Sequence, residues 1–288
     1  MKDKNAVYIT GKIVNHDLKE MEFSNGNAGI TGKLTIQVTE DGANITIRCF
    51  ASPTYSSGKT NFTYNFLQNV LEKEVKTIDD VGVEDADFIS VSGKFATNYY
   101  IGRDGCTDPD DVAKSFYIEG RFFNMAKKHE YSIRWNMNIL ITSIREKEEN
   151  PENGTPRSVL VKGYYIDAYN KRLAECDFEA FKEAAINYYL GIAEMATEQV
   201  PYFAEIWGGV TQFVTKSILK NNFGDDEVRE YKRTKIAIEG MGDQIEFASD
   251  SVSLSIETFT EFKNGLVELK EDLFKKFAQE KTDEDLSF

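Results

Sequence analysis

Histidine and cysteine are scarce in this chain of 288 residues: His16 and His129, and Cys49, Cys106 and Cys176, are all it has of the two types. The cysteines are odd in number, far apart and without a CxxC pair. They read as reduced thiols of a cytosolic protein, and against a disulfide framework or a zinc knuckle. Neither histidine belongs to a metal-ligand or nucleophile motif, and HExxH, GxSxG and a Walker-type glycine loop are missing. The sequence therefore reads as that of a non-enzyme, with no metal and no cofactor implied. No run of eighteen apolar residues occurs, so no helical membrane span is expected. The charged start Met1-Lys2-Asp3-Lys4-Asn5 does not read as a secretory leader, and the expected location is the cytoplasm of a bacterial host. Of only five prolines, two fall in the charged segment 146–156 (EKEENPENGTP).

Charge is one-sided. Acidic residues outnumber basic ones 48 to 34, for a formal net charge of −14. Nucleic-acid affinity comes largely from neutralising phosphates with Lys and Arg, so this total alone favours a protein-binding role. The distribution matters more than the total. Acid is concentrated in 146–156 and in 257–285.

What the chain has in quantity is short alternating runs. Segments 7–14 (VYITGKIV), 31–38 (TGKLTIQV) and 44–51 (NITIRCFA) alternate apolar with polar residues, the period of half-buried strands. Asp41-Gly42 between the second and third is a hairpin signal. Phe62, Phe66, Leu67, Val70 and Leu71 then recur at helical spacing over 61–75. Alternation resumes at 87–98, 115–123 and 131–144. Strands, one helix, then more strands is the order of the small Greek-key barrel called the OB-fold. The segment 146–156 reads as a linker, after which 158–166, 180–192, 200–214 and 231–241 echo the first half. The fold expected is mainly β with helices: tandem OB barrels, a C-terminal amphipathic helix over 257–279, and a disordered acidic tail. The boundaries are 1–147 for the first barrel, 148–157 for a linker and 158–243 for the second barrel. A linker and helix then take 244–280, and the tip 281–288.

Period two sorts each strand into faces. Val7, Ile9, Gly11 and Ile13 point inward with Leu34, Ile36, Val38, Ile45, Ile47, Cys49 and Ala51. Tyr8, Lys12, Lys33, Arg48 and Phe50 are left outside with no acid among them. The following loop adds Tyr55 and Lys59, and Lys94 lies on the polar side of its strand. Exposed rings stack on unpaired bases for about 1–3 kcal/mol each while neighbouring cations take the phosphates. Trp135 shares its face with Ile133, Met137 and Ile139 and is expected in the core. In the second half, Phe203 and Trp207 are either stacking residues or contacts between the barrels. Lys232, Arg233 and Lys235 form a small basic cluster.

The chain's last residues, Asp283-Glu284-Asp285-Leu286-Ser287-Phe288, resemble the acidic tip of bacterial single-stranded-DNA-binding proteins, from which they differ at Ser287, where that family has proline. With the OB-like order the resemblance points to the larger phage or mobile-element members. It implies a protein that binds and protects single-stranded DNA in replication or recombination. Asp283, Glu284, Asp285, Leu286 and Phe288 would recruit replication or repair proteins, with Phe288 filling an apolar pocket on the partner and its carboxylate meeting a basic rim. Homo-oligomerisation stays open. So do two alternatives: a protein-interaction or regulatory OB module, such as a DNA mimic, and an RNA-binding or strand-annealing protein.

Overall fold

A computed structural model describes residues 4–22, 28–102, 105–220, 226–245 and 255–285. The first half comprises β1 (Asn5–His16), β2 (Lys19–Glu22), β3 (Ala28–Gln37), β4 (Asn44–Ala51), α1 (Phe62–Leu71), α2 (Ile78–Val81), β5 (Phe88–Tyr100) and β6 (Ala113–Met125). The alternating runs form strands because one side of each is buried: Val7, Ile9, Ile13, Leu34, Ile36, Ile45, Ile47 and Cys49 fill a common core. Helix α1 starts where the Asn61 side chain accepts the Thr63 N–H, the usual satisfaction of an orphan amide. It buries Phe66, Leu67 and Val70, with Phe66 stacked on Phe123 of β6 at 5.6 Å.

Pairing closes these strands into a barrel. β1 pairs with β3 and β5, β3 with β4, β5 with β6, and β4 runs parallel to β6. That ring, with a helix between its third and fourth strands, is the OB topology. It then repeats. β7 (Ser132–Lys147) pairs with β8 (Ser158–Asp167) and with β10 (Tyr202–Lys220). β8 pairs with β9 (Arg172–Ala180), β10 with β11 (Asp226–Gln244), and β9 runs parallel to β11. Helix α3 (Glu183–Ile192) occupies the place of α1. Two OB barrels stand in tandem, as the alternation suggested.

The seam lies elsewhere than expected. The sequence pattern puts 131–147 in the first barrel, yet pairing with β8 and β10 makes β7 the opening strand of the second, and residues 148–157 are the β7–β8 loop and no linker. The repeat is consequently displaced by one strand: 158–166 matches β3 in role, not β1, and 231–241 matches β6. Alternation alone cannot show this, because every half-buried strand shares period two and only pairing tells them apart. The barrels are joined by antiparallel pairing of β1 with β7. Rings from both meet there: Phe95 of β5 and Phe116 of β6 lie against Phe178 of β9 at 5.2 Å, and Phe178 stacks on Trp135 of β7 at 4.7 Å.

Helix α4 (Ile256–Asp285) lies along the second barrel. Leu266 is buried, and Phe259, Phe262, Leu269 and Leu273 cover Leu140, Leu173, Phe203 and Tyr99. Lys270 reaches Glu175 of β9 at 3.2 Å. The helix continues through 281–285, a stretch expected to lack regular structure, so the backbone of Asp283, Glu284 and Asp285 is helical. Leu286 and Phe288 lie outside the described residues. Among the described residues no helix is long and apolar enough to cross a membrane.

Candidate nucleic-acid interface

The outward side of β4 is the axis of the site. Asn44, Thr46, Arg48 and Phe50 follow one another on it at every second position, covering about 20 Å. Lys33 of β3 stands directly across from Arg48 and is exposed. Arg48 is oriented by β6: its Nη2 donates to Ser115 Oγ at 2.8 Å, and its guanidinium lies 4.0 Å over the Tyr117 ring. Burial, and then the nearby Glu119 carboxylate, raises the Tyr117 hydroxyl above the ordinary tyrosine range. Tyr117 is therefore a neutral platform at physiological pH. Asp17 accepts the Lys33 backbone N–H and fixes the chain beside Lys19.

Three concavities run end to end along this axis. At one end Phe50, Tyr55, Arg121 and Phe122 surround a hollow of about 200 Å³. Phe50 and Phe122 are 59% and 57% exposed, high for aromatic rings in a protein with a full core. Tyr55 is presented by a tight loop in which its N–H donates to Lys59 O and the Gly58 N–H to Tyr55 O, both at 2.8 Å. The next hollow, about 690 Å³, shares Phe50 and Glu119 with the first and adds Lys19, Lys33, Arg48 and Tyr117. The third, about 770 Å³, shares Lys33, Arg48 and Tyr117 and lies between the barrels. Its far wall includes Lys147, Lys162 and Lys235, with Phe95, Phe116 and Phe178 at its base. Together the three are lined by seven cationic side chains and four acidic ones, the reverse of the chain's overall balance.

The acids are mostly engaged. Glu119 meets Arg121 at 3.3 Å and Lys94 at 3.8 Å, Asp177 meets Lys114 at 2.9 Å, and Glu179 is paired with Lys147.

A family model described as YorF matches residues 4–245. The chain belongs to the YorF family. No curated protein matches it. Among solved structures, a deletion mutant of the single-stranded DNA binding protein from Thermus aquaticus aligns at TM-score 0.47 and 10% identity, over 88% of this chain and 100% of its own. The wild-type Thermus protein aligns at 0.45 and 11%, over 87% and 97%.

The residues singled out from sequence divide accordingly. Lys33, Arg48, Phe50 and Tyr55 line the connected hollows, and Lys59 sits in the exposed Tyr55 loop. Tyr8 is exposed but beside them: it pairs with Ser92, which pairs with Phe122, placing Tyr8 two strands, about 10 Å, from Phe122. Lys94 is tied to Glu119. Lys12 was expected on the surface and is not. It is only 7% exposed, donates to the carbonyls of Val83 and Glu84 and lies over the Phe88 ring, because the chain after α2 folds across that end of β1. Phe203 is likewise removed from any open surface at 1% exposure, covered in the cluster that α4 completes. Trp207 remains partly exposed and packs over Gly240, where an added Cβ would come within 2.5 Å of its ring.

Sequence reasoning missed Phe122, Tyr117, Lys19, Arg121 and Lys147. Phe122 follows Arg121 at a bulge where β5 and β6 shift register between Ser92 and Gly93. Strict alternation across that bulge would turn Phe122 the wrong way. Its only sequence signal is Gly120, since a bulge and a mid-strand glycine go together.

Proposed function

We propose that this protein binds single-stranded DNA along the groove running from Phe50, Tyr55 and Phe122, past Lys33 and Arg48, to Lys162 and Lys235. The observation that carries the reading is local. Three exposed rings stand at one end of a continuous groove whose lining is net cationic, in a chain of net charge −14. Rings offered from a concavity suit unstacked bases, and the cations beyond them suit the phosphates between successive bases. The work asked of these residues is binding alone, with no catalytic step.

The barrels are not equivalent in this reading. Gly93 and Gly208 occupy matching bulges, each pressed against a carbonyl, that of Glu119 and that of Ala237 respectively. Through β4–β6 and β9–β11 pairing, Arg48 then corresponds to Glu179, and Arg121 to Glu239. At these two positions the first barrel bears cations where the second bears acids, and on them the first is assigned the main contact. We further assign the C-terminal Asp283, Glu284, Asp285, Leu286 and Phe288 to recruiting a replication or repair protein, through acids that steer and an aromatic end that anchors.

The test is titration with oligo-dT, read by intrinsic fluorescence, for wild type, Phe50→Ala and Arg48→Ala. Wild-type affinity should fall steeply with salt. Phe50→Ala should cost about 1–3 kcal/mol, and Arg48→Ala should also flatten the salt dependence. Affinity unchanged in both variants would overturn the assignment. Repeating the titration with oligo-U separates DNA from RNA preference.

A further inference from the structure

Beyond the barrel, β10 and β11 continue as a two-stranded arm. Within the barrel they are flanked by β7 as far as Gly208 and by β9 at Ala237 and Ile238. From Thr211 paired with Lys235 out to Lys220 paired with Asp226 no third strand pairs with them among the described residues, a projection of about 30 Å, and Phe213 of this stretch packs on Phe181 at 5.6 Å. An isolated ribbon of this kind is marginal in water, so what it touches is informative. On one side the β7–β8 loop supports it: Asn153 O accepts the Lys216 N–H at 2.7 Å. On the other, Lys232 Nζ reaches the carbonyl of Asp41 at 3.5 Å, in the turn between β3 and β4 of the first barrel.

That contact lies at the mouth of the groove. Along β4 the lining runs from Phe50 through Arg48 and Thr46 to Asn44, three residues from Asp41. The opposite wall at that end is Thr234 and Lys235, next to Lys232 on the arm. The two walls are therefore bridged where the groove leaves the molecule. The arm also has the charge of something that meets phosphate. Its 20 residues in 211–220 and 226–235 hold six Lys and Arg against three Asp and Glu, and Lys232, Arg233 and Lys235 are exposed.

We infer that the arm is a clasp: it closes on the 39–43 turn over a bound single strand, with Lys232, Arg233 and Lys235 against the phosphates, so that the strand is threaded and not merely laid on the surface. This rests on the groove being the single-strand site. Opening breaks the exposed Lys232–Asp41 contact between the arm and the turn, and so admits a strand along its length. Closure converts the groove to a ring.

The experiment uses the full chain carrying Asp41→Cys, Lys232→Cys and Cys106→Ser, joined by a short bismaleimide. Linking the pair in the presence of circular single-stranded DNA should leave protein on the circle through SDS and high salt, whereas linear DNA of the same sequence should be lost. Linking before DNA is added should abolish capture of circles and leave threading of short linear oligonucleotides. Circles released as readily as linear DNA, with oligonucleotide binding by the unlinked variant intact, would overturn the clasp alone. Failure of the pair to link in the free protein would overturn it as well. Absence of oligonucleotide binding by the unlinked variant would instead remove the proposed function, and the clasp with it.

Discussion

Val7 and Trp135 pair with each other across β1 and β7, and each is also the other's counterpart. Val7 pairs with Gly93 in the first barrel and Trp135 with Gly208 in the second. A pair made of two equivalent residues on antiparallel strands places a local two-fold axis between them. The third hollow obeys that axis: Phe116, Tyr117 and Ile118 line one side, and their counterparts Thr234, Lys235 and Ile236 line the other. The corresponding faces of the two barrels converge on one groove, with the aromatic junction at its base.

Because the junction is also the groove's base, the barrels should not unfold separately. Phe178 is 2% exposed and touches Phe95, Phe116 and Trp135. Phe178→Ala should cost about 3–5 kcal/mol. Urea unfolding followed by fluorescence and by far-UV circular dichroism should show one coincident transition in both proteins. A biphasic wild-type curve would mean the barrels are independent.

The axis also predicts which change strengthens binding. Glu179, the counterpart of Arg48, is largely buried and occupies Lys147. In Glu179→Gln that lysine is released toward the groove, and the slope of log K against log salt should steepen by about 0.7, the value for one further phosphate on a single strand. A slope equal to wild type would confine the strand to the first barrel.

The thiols should differ sharply. Cys49 is buried, and burial first, then the Asp17 charge, pushes its thiol up to about 12. Burial pushes Cys176 well above the ordinary range. Cys106 is partly exposed and donates to Asp108 O at 2.8 Å. Ellman's reagent at pH 8 should find one thiol in the folded chain and three in denaturant. Since the folded values of Cys49 and Cys176 are raised, their contribution to stability is complete below the unfolded value of about 8.5 and is lost as pH rises toward 12. The urea midpoint should accordingly be lower at pH 10 than at pH 7. Reaction of two or three thiols in the folded protein would contradict the burial.

Much of this was legible in the sequence. Period two placed Lys33, Arg48 and Phe50 outside and Ile45, Ile47 and Cys49 inside, because a strand with one wet face leaves no other arrangement. The step of three and four found α1 and α4. What the sequence hid depends on pairing. Lys12 has the pattern of an outward residue, but the chain returning after α2 buries it. Phe203 has the pattern of a mixed face, but α4 closes over it from more than fifty residues away. Tyr117 and Phe122 acquire meaning only when β6 is set parallel to β4, and Lys147 only when the second barrel turns its matching face to the first.

The end of the chain should modulate the groove electrostatically. From Lys270, which is held at Glu175, α4 runs on to Asp285, a further ~22 Å at 1.5 Å per residue. The backbone of 280–285 thus continues the helix beyond Lys270. A cluster of this sign competes with phosphate for the same cations over a distance set by salt, about 10 Å at 0.1 M. Deleting 281–288 should therefore raise oligo-dT affinity at low ionic strength and change it little at high. Phe288→Ala, which keeps every acid, should leave DNA affinity as it is while weakening capture of any partner that reads the terminal aromatic residue. If the deletion leaves low-salt affinity unchanged, the acidic end does not compete for the groove, and its role is confined to the partner.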